Sequence, residues 1–421
     1  MASKMFTGGM PELMDVILNN LNNDSYSLYS CTLVNRYWCK MSIPVLWKDP
    51  FSFKQKPLFI SNYLSFLDKD EKFILKKLGI NAEFSKTLFH YARFLKILDI
   101  SHLEDRIKQW IELQFVDLKS YYRPLEDHIR DLLLKLFIES GATLHKLDIY
   151  FYQDNGIRPE IFYTLGRNMQ FFSQLQELTL RIVSDFGNKN CNAVLKMLAE
   201  NVTTFLKILA KIATKINVLK IEELNPNYGP QVFHALISVI KSQKRLRQFH
   251  LLGLNTPKKF HGIVSALESQ KQSLREVLIE DCDYNAEFKA LINCENLEII
   301  RVRSCEDKEL VKMLKMFNCK ITTLEITNLD IVIDASNIVL ILEKSGTLLQ
   351  RLKLEVQIIS EQSLLLETLM SFCPNILYLN LSEVEFSTQL LDFIGKLKNL
   401  QFLTLEWCGD IFEEDIIQFA N

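Results

Sequence analysis

The side chains that could carry out chemistry are dispersed along this chain. Its seven histidines lie at positions 90, 102, 128, 145, 234, 250 and 261. The sequence has no glycine-rich phosphate loop, no H-E-x-x-H, no G-x-S-x-G and no kinase-type elements. The run His102-Leu-Glu-Asp and the acidic run 413–415 contain suitable ligand types, but a surface turn and an acidic helix start explain them without a site. We therefore expect no enzymatic activity, no cofactor and no metal site.

The nine cysteines also lack the spacing of a chemical site, since none forms a C-x-x-C pair. We expect reduced, mostly buried thiols, which favours the cytoplasm, the nucleus or both. The first nine residues lack the apolar run of a secretory signal, and no stretch of 18 apolar residues occurs, so we expect no membrane partner.

The charges are nearly balanced, with 49 Lys and Arg against 51 Asp and Glu. The basic cluster at 241–247 is followed in the next strands by Glu276, Glu280 and Asp281, which cancel its field. We therefore expect no nucleic-acid partner.

The elements that must position any functional side chain are set by a recurring apolar pattern, L-x-x-L-x-L, with Ile, Val or Phe as substitutes. Its eleven units begin at Leu95, Leu144, Leu175, Ile216, Leu246, Leu274, Leu297, Ile321, Leu349, Ile376 and Leu400. From the fourth unit onward the spacing is 23 to 30 residues. Apolar residues two apart share one face of a strand, and the segments between units have helical periodicity. The sequence thus predicts an α/β fold with one strand per unit.

Residues 10–50 differ in kind. Pro11 suits a first helical turn, and Leu13, Ile17 and Leu21 predict one apolar stripe on that helix. Asp24 or Ser25 is expected to cap a second helix, Asn35 to cap a third, and Pro44 to end the third. Residues 51–93 lack the repeat, contain few breakers and predict a packed helical connector.

The repeats resemble the leucine-rich-repeat family over residues 94–410, especially the variant with cysteine at the position of Cys282, Cys305 and Cys408. The resemblance implies a solenoid, a curved parallel sheet with helices on its outer face, from residue 94 to 421. Eleven strands give a sheet about 50 Å long, which suits a protein partner better than a metabolite.

The N-terminal segment resembles an F-box, as in the F-box proteins abundant in some fungi. The matching positions are Pro11, Leu13, Ile17, Leu18, Leu21, Leu28, Cys31, Val34, Trp38, Leu46 and Trp47. The resemblance implies that residues 10–50 bind the adaptor subunit of an SCF-type cullin-RING ubiquitin ligase, with Trp38 as an anchor, while the repeats select the protein to be ubiquitinated. The alternative is a leucine-rich-repeat binding or inhibitor scaffold whose N-terminal helices merely cap the repeats.

Target contacts are expected on the concave strand face. Candidate residues there are Arg301, Arg303, Tyr378, Phe402 and Trp407. Arg301, Glu325 and Lys353 alternate in charge on consecutive strands, so we expect them to pair with one another. The aromatic candidates have a second interpretation, as a surface covered by a C-terminal cap.

Overall fold

The computed structural model describes residues 10–21, 24–53, 56–80, 84–85, 87–115, 123–151, 161, 164–165, 167–182, 192–224, 229–253, 260–305, 308–385 and 387–407. It divides into two compact units. The first comprises residues 1–178 and 211–214, and the second comprises residues 179–210 and 215–421.

The first unit begins with three helices, α1 (Pro11–Asn20), α2 (Ser25–Thr32) and α3 (Arg36–Leu46). Asp24 caps α2 by accepting a hydrogen bond from the Ser27 amide at 3.0 Å, and Asn35 caps α3 by accepting one from the Trp38 amide at 2.9 Å. These caps satisfy amides that have no partner inside their helices. The prediction that Pro44 ends the third helix is wrong by two residues, because the Trp47 amide still reaches the Ile43 carbonyl at 3.0 Å.

A short helical segment follows. It consists of the 3₁₀ turn Pro57–Phe59, α4 (Ile60–Leu64), α5 (Lys69–Lys77) and the 3₁₀ turn Tyr91–Phe94. Trp47, at the end of the first three helices, stacks on Tyr91 with ring centroids 3.9 Å apart and meets Tyr63 edge-on at 5.2 Å. The connector therefore supplies the aromatic surface that buries Trp47.

The repeats of the first unit begin with β1 (Ile97–Asp99) and β2 (Lys146–Phe151), which pair in parallel. The helices α6 (Ile100–Gln114) and α7 (Arg123–Glu139) lie between them in the chain. The first unit of the pattern is truncated, since Ile100 begins α6 and does not continue the strand. A 3₁₀ turn (Met169–Phe172) precedes β3 (Glu177–Ile182), in which the division between the units falls.

In the second unit, strands β4 to β11 are neighbours in chain order and every pair is parallel. They are β4 (Val218–Leu224), β5 (Gln248–Gly253), β6 (Glu276–Glu280), β7 (Ile299–Arg303), β8 (Thr323–Asp334), β9 (Arg351–Ser360), β10 (Tyr378–Val384) and β11 (Phe402–Trp407). The predicted mixed α/β fold with a long parallel sheet is confirmed for this unit. Every one of these strands begins two residues after the first position of its sequence unit.

The segments that connect these strands differ in secondary structure. The helices among them are α9 (Pro230–Lys241), α10 (Lys308–Met313), α11 (Ser336–Ser345), α12 (Gln362–Phe372) and α13 (Thr388–Lys396), and α8 (Asn192–Ile212) precedes β4, with its last two residues assigned to the first unit. The segments after β5 and β6 contain the 3₁₀ segments Ser265–Gln270 and Ala286–Asn293 instead.

Two backbone features recur from strand to strand. One carbonyl accepts both amides that begin the next strand, as when the Asn217 carbonyl accepts from Arg247 and Gln248 at 2.8 and 2.9 Å. After β6 and β7 the backbone turns left-handed at Asp281 (φ 52°) and Ser304 (φ 49°). This turn directs the following Cys282 and Cys305 into the core, where both are buried.

Candidate interaction surfaces

The eleven F-box-like positions fall into three classes of exposure, all within the first unit. Buried are Leu18, Leu28, Trp38 and Trp47; half-buried are Ile17, Leu21, Cys31 and Leu46; exposed are Pro11, Leu13 and Val34. The structure thus places these residues in different environments, although the F-box resemblance implies one adaptor-binding set.

A small core holds the three helices together. Met14 and Leu18 from α1, Leu28 from α2 and Trp38 from α3 form it. The predicted stripe at residues 13, 17 and 21 is therefore wrong in its first two positions. Residues 14, 18 and 21 also satisfy helical spacing, and contact with Leu28 and Trp38 selects this second set. Trp38 serves this core and is 9% exposed, so its ring offers a partner little surface.

The same helices and the turn after α2 also expose large apolar side chains. Leu13, Val16, Tyr26, Tyr29, Leu33 and Val34 are exposed, with Tyr26 at 78% and Leu33 at 70%. We call these six residues the helical patch. On α2 and the turn after it, Tyr26, Tyr29 and Leu33 have the i, i+3, i+7 spacing of one helical face. This spacing is the signal by which the sequence could have identified these three residues. Val16 could have been identified because it does not share the helical face of the buried residues Met14 and Leu18.

On the strands of the second unit, three guanidinium groups converge on one carboxylate. Glu325 on β8 is 3% exposed. Its Oε2 accepts hydrogen bonds from Arg301 Nε at 3.0 Å and from an Arg303 terminal nitrogen at 3.3 Å, and its Oε1 accepts from Arg351 Nε. Burial raises the pKa of Glu325, but the hydrogen bond from Arg351 and the charges of Arg301 and Arg351 outweigh burial and lower it. We call these four residues the arginine cluster.

A second carboxylate extends this ionic row toward β5. Arg301 also bonds Glu276 on β6, and His250 Nε2 on β5 lies 3.6 Å from Glu276 Oε1. His250 has the largest effect on the pKa of Glu276 and lowers it, burial opposes this effect, and the Arg301 charge adds to the lowering. The neighbouring Gln248 donates to Glu276 Oε2 at 2.9 Å. Sequence reasoning did not identify Glu276 or His250 as parts of the row, because their contacts run diagonally between strands.

The predicted pairing of Arg301, Glu325 and Lys353 holds for its first pair and is wrong for its second. Lys353 Nζ lies 2.7 Å from Glu355 Oε1, two residues along its own strand. Arg351 takes the place beside Glu325. Strand register brings Lys353 opposite Glu325, but Glu355 lies on the same face of β9 and is closer to the ammonium group.

The aromatic candidates adjoin the arginine cluster. Arg351 Cζ lies 3.6 Å from the centroid of the Tyr378 ring, and the Tyr378 and Phe402 rings are 6.1 Å apart. Phe402 is 62% exposed. Trp407 ends β11, with its backbone opposite Val384, and its side chain lies outside the described residues. Cys408, the acidic run 413–415 and the proposed C-terminal cap also lie outside them.

Among the residues described, no group of three or more His, Cys, Asp or Glu could hold a metal ion. The cysteines that the structure describes are free thiols, and burial raises the pKa of Cys294, Cys305 and Cys373 to about 12. In the same parts of the chain, no helix combines the length and apolar character needed to cross a membrane.

Comparison with known proteins adds little to these observations. No family model and no curated protein matches the sequence. Among solved structures, the crystal structure of an internalin from Listeria monocytogenes is similar to this chain at 14% sequence identity, covering 68% of this chain and 86% of the internalin chain with a TM-score of 0.35. A score this low carries no argument about fold or function.

Proposed function

We propose that this chain is the substrate-recognition subunit of an SCF-type cullin-RING ubiquitin ligase, with no catalytic activity of its own. The three N-terminal helices would bind the adaptor subunit of the ligase, and the strand face of the repeats would bind the protein to be ubiquitinated. The order of an F-box-like segment followed by repeats that resemble the leucine-rich-repeat family supports this proposal.

The helical patch is the observation that carries it. The three helices already have a complete small core, yet six large apolar side chains between residues 13 and 34 remain exposed. Single exposed apolar residues are ordinary, but a group of this size on so short a segment is typical of a protein interface. Helices with such a face are suited to helix-in-groove recognition, in which exposed apolar side chains enter a partner's groove.

The buried F-box-like positions support the same proposal indirectly. Leu18, Leu28 and Trp38 hold the helices in place, and Leu13 and Val34 are among the residues they present at the surface. In the proposed complex, the exposed positions contact the adaptor and the buried ones maintain the shape of the contact surface.

One observation favours the alternative, a protein-binding or inhibitor scaffold without a ligase role. The Lys48 carbonyl, two residues past α3, accepts hydrogen bonds from the amides of Lys96 and Ile97 at 2.9 and 3.0 Å. This is the same contact that links successive repeats, such as Lys96 to His145 and Lys146. The end of the helical segment thus accepts the hydrogen bonds of the amides at the start of β1, as a capping repeat would.

Co-purification with the adaptor subunit separates the two functions. We would co-express the full chain with the SCF adaptor and measure how much adaptor is retained on the tagged chain. Changing Leu13→Asp and Leu33→Asp together is expected to abolish retention, because both residues lie in the helical patch. Replacing Leu18 and Trp38 would be a poor test, because both lie in the core and their loss would unfold the helices.

Leu340→Asp is the matched control, since Leu340 is a comparably exposed leucine on α11 in the second unit. Circular dichroism and thermal unfolding would verify that every variant is folded. Failure of the unaltered chain to retain the adaptor would reject the ligase proposal and leave the scaffold. Retention by the Leu13/Leu33 variant would reject the helical patch as the adaptor surface.

A further inference from the structure

The arginine cluster contains three guanidinium groups around one carboxylate, so Glu325 alone does not neutralise its positive charge. Arg301 is held between Glu325 and Glu276, whereas Arg303 has only a 3.3 Å contact with Glu325 and a distant 4.0 Å approach to Glu280. The Arg303 and Arg351 side chains are 39% and 37% exposed, while the Glu325 side chain is 5% exposed. The solvent-facing part of the cluster is therefore guanidinium, and the carboxylate lies beneath it.

Arg351 is held in one orientation and still has unused N–H donors. Its Nε bonds Glu325 on one side, and its Cζ lies over the Tyr378 ring on the other. Within the described part of the chain, its terminal nitrogens have no hydrogen-bond partner. A guanidinium group carries five N–H donors in one plane, so four remain for a ligand. Two parallel N–H donors match the two oxygens of a carboxylate. We call the two terminal nitrogens of Arg351 the fork; because the fork is already oriented, it loses little conformational entropy on binding.

An apolar surface adjoins this fork. Arg351, Tyr378 and Phe402 are directly paired across β9, β10 and β11. The exposed Phe402 ring lies beside the Tyr378 ring that supports Arg351. Charged donors and exposed aromatic rings therefore lie side by side, which is the composition of interface anchors.

We propose that this surface, Arg351 with Arg303 and the Tyr378 and Phe402 rings, binds an acidic segment of a partner protein. A carboxylate side chain of the segment accepts two hydrogen bonds from Arg351, and a neighbouring apolar side chain packs on Phe402. This inference rests on the proposed protein-binding role of the strand face, and it adds the chemistry of the partner.

The charge balance favours a carboxylate over a phosphate. Arg301, Arg303 and Arg351 face Glu276, Glu280 and Glu325, so the formal charges of the six groups cancel. A ligand with one negative charge can be stabilised by the exposed fork. A phosphate group brings nearly two negative charges, so its attraction to the arginines and its repulsion from the carboxylates both roughly double, whereas the cost of removing its hydration grows with the square of the charge.

Selection of peptides tests the inference without knowledge of the natural partner. A library of phage-displayed twelve-residue peptides would be selected on the full chain, and the enriched sequences would be synthesised for affinity measurement by fluorescence anisotropy. We expect enriched peptides to carry Asp or Glu near an aromatic or aliphatic residue. Arg351→Gln should weaken their binding at least about tenfold, as should replacing the peptide's acid by its amide. The two changes together should cost little more than either alone.

Two matched controls test whether the planar guanidinium group of Arg351 binds the peptide, or whether any positive charge at this surface suffices. Lys353→Gln removes the neighbouring cation on the same strand, which is bonded to Glu355, and should leave affinity unchanged. Arg351→Lys keeps the charge but loses the planar fork, so it should weaken binding nearly as much as Arg351→Gln. Both Arg351 variants should stay folded, as checked by thermal unfolding, because Glu325 keeps Arg301 and Arg303.

Three outcomes would overturn the inference. These are enrichment of peptides without acidic residues, affinity that is insensitive to Arg351→Gln, and tighter binding when phosphoserine replaces the acid. If acid-free peptides bind and Phe402→Ala removes that binding, the strand face still binds protein and only the acidic partner is rejected. If no peptide is enriched, this surface is rejected, and the adaptor experiment still tests the ligase proposal independently.

Discussion

Arg351 Cζ lies 3.6 Å from the centroid of the Tyr378 ring, and the two residues are opposite each other on the adjacent strands β9 and β10. The contact joins the row of charged side chains from Glu276 to Arg351 to the exposed aromatic rings of β10 and β11. A guanidinium group held over a ring is stabilised by about 0.5–1 kcal/mol at a partly exposed site. Its greater consequence is orientation, since the same contact fixes the plane in which Arg351 can bind a partner.

Glu325→Gln is expected to destabilise the second unit. The change removes the negative charge on which three guanidinium groups converge, and Glu325 is almost fully buried. Breaking a buried ion pair costs about 3–5 kcal/mol, and we expect a loss near the lower limit because the arginines are partly exposed. Urea unfolding would measure it. Glu355→Gln is the control, with an expected loss below about 1 kcal/mol because that side chain is 26% exposed; equal losses in both variants would contradict the prediction.

Acid should destabilise the second unit through Glu276 and Glu325. The pKa of each lies below the ordinary 4.5 in the folded chain, so the unfolded chain binds protons first as the pH falls. Their contribution is fully present above the unfolded pKa and is lost as the pH falls through the folded pKa. Urea unfolding at pH 7 and at steps below pH 5 should show this loss. The Glu276→Gln/Glu325→Gln variant should have a flatter dependence on pH, and an unchanged slope would refute the assignment.

Five cysteines should resist alkylation in the folded chain. Burial raises the pKa of Cys319 to about 11 and of Cys294, Cys305 and Cys373 to about 12, and it raises that of Cys282 further. The thiolate is the reactive form, so iodoacetamide at pH 8 should leave all five unmodified in native buffer and modify them in urea. Peptide mass spectrometry would follow each site, with the half-buried Cys39 as an internal control. Rapid native labelling of Cys305 would show that its repeat opens.

Trp47→Ala should loosen the join between the N-terminal helices and the first strand. Trp47 packs on Tyr91 and Tyr63, and the next residue, Lys48, supplies the carbonyl that bonds Lys96 and Ile97. We expect a loss of about 3–5 kcal/mol in the free energy of unfolding of the first unit and faster hydrogen exchange at the Lys96 and Ile97 amides. Leu58→Ala, at an exposed leucine of the same connector, should change stability by less than about 0.5 kcal/mol. Unchanged exchange at both amides would argue that the carbonyl contact does not depend on Trp47.

The sequence predicted the repeats well because the signals for them are local. Eleven apolar units mark eleven strands, and the caps at Asp24 and Asn35 follow from the side chains themselves. The candidate surfaces were predicted less well. Residue type identifies Leu13, Val34, Arg301, Tyr378 and Phe402 as candidates but does not identify their partners. Trp38 is predicted at a surface and lies in a core.

The sequence by itself determined which residues of each repeat point inward, because side chains alternate along a strand with a period of two and each unit repeats its apolar spacing. Only the tertiary structure decided which stripe of α1 is buried, since residues 13, 17 and 21 and residues 14, 18 and 21 both satisfy helical periodicity until Leu28 and Trp38 select one. It also decided that Arg351, and not Lys353, binds Glu325, because a long side chain reaches diagonally across a strand and the closer Glu355 satisfies the lysine. Such choices depend on distances between segments that are far apart in the chain.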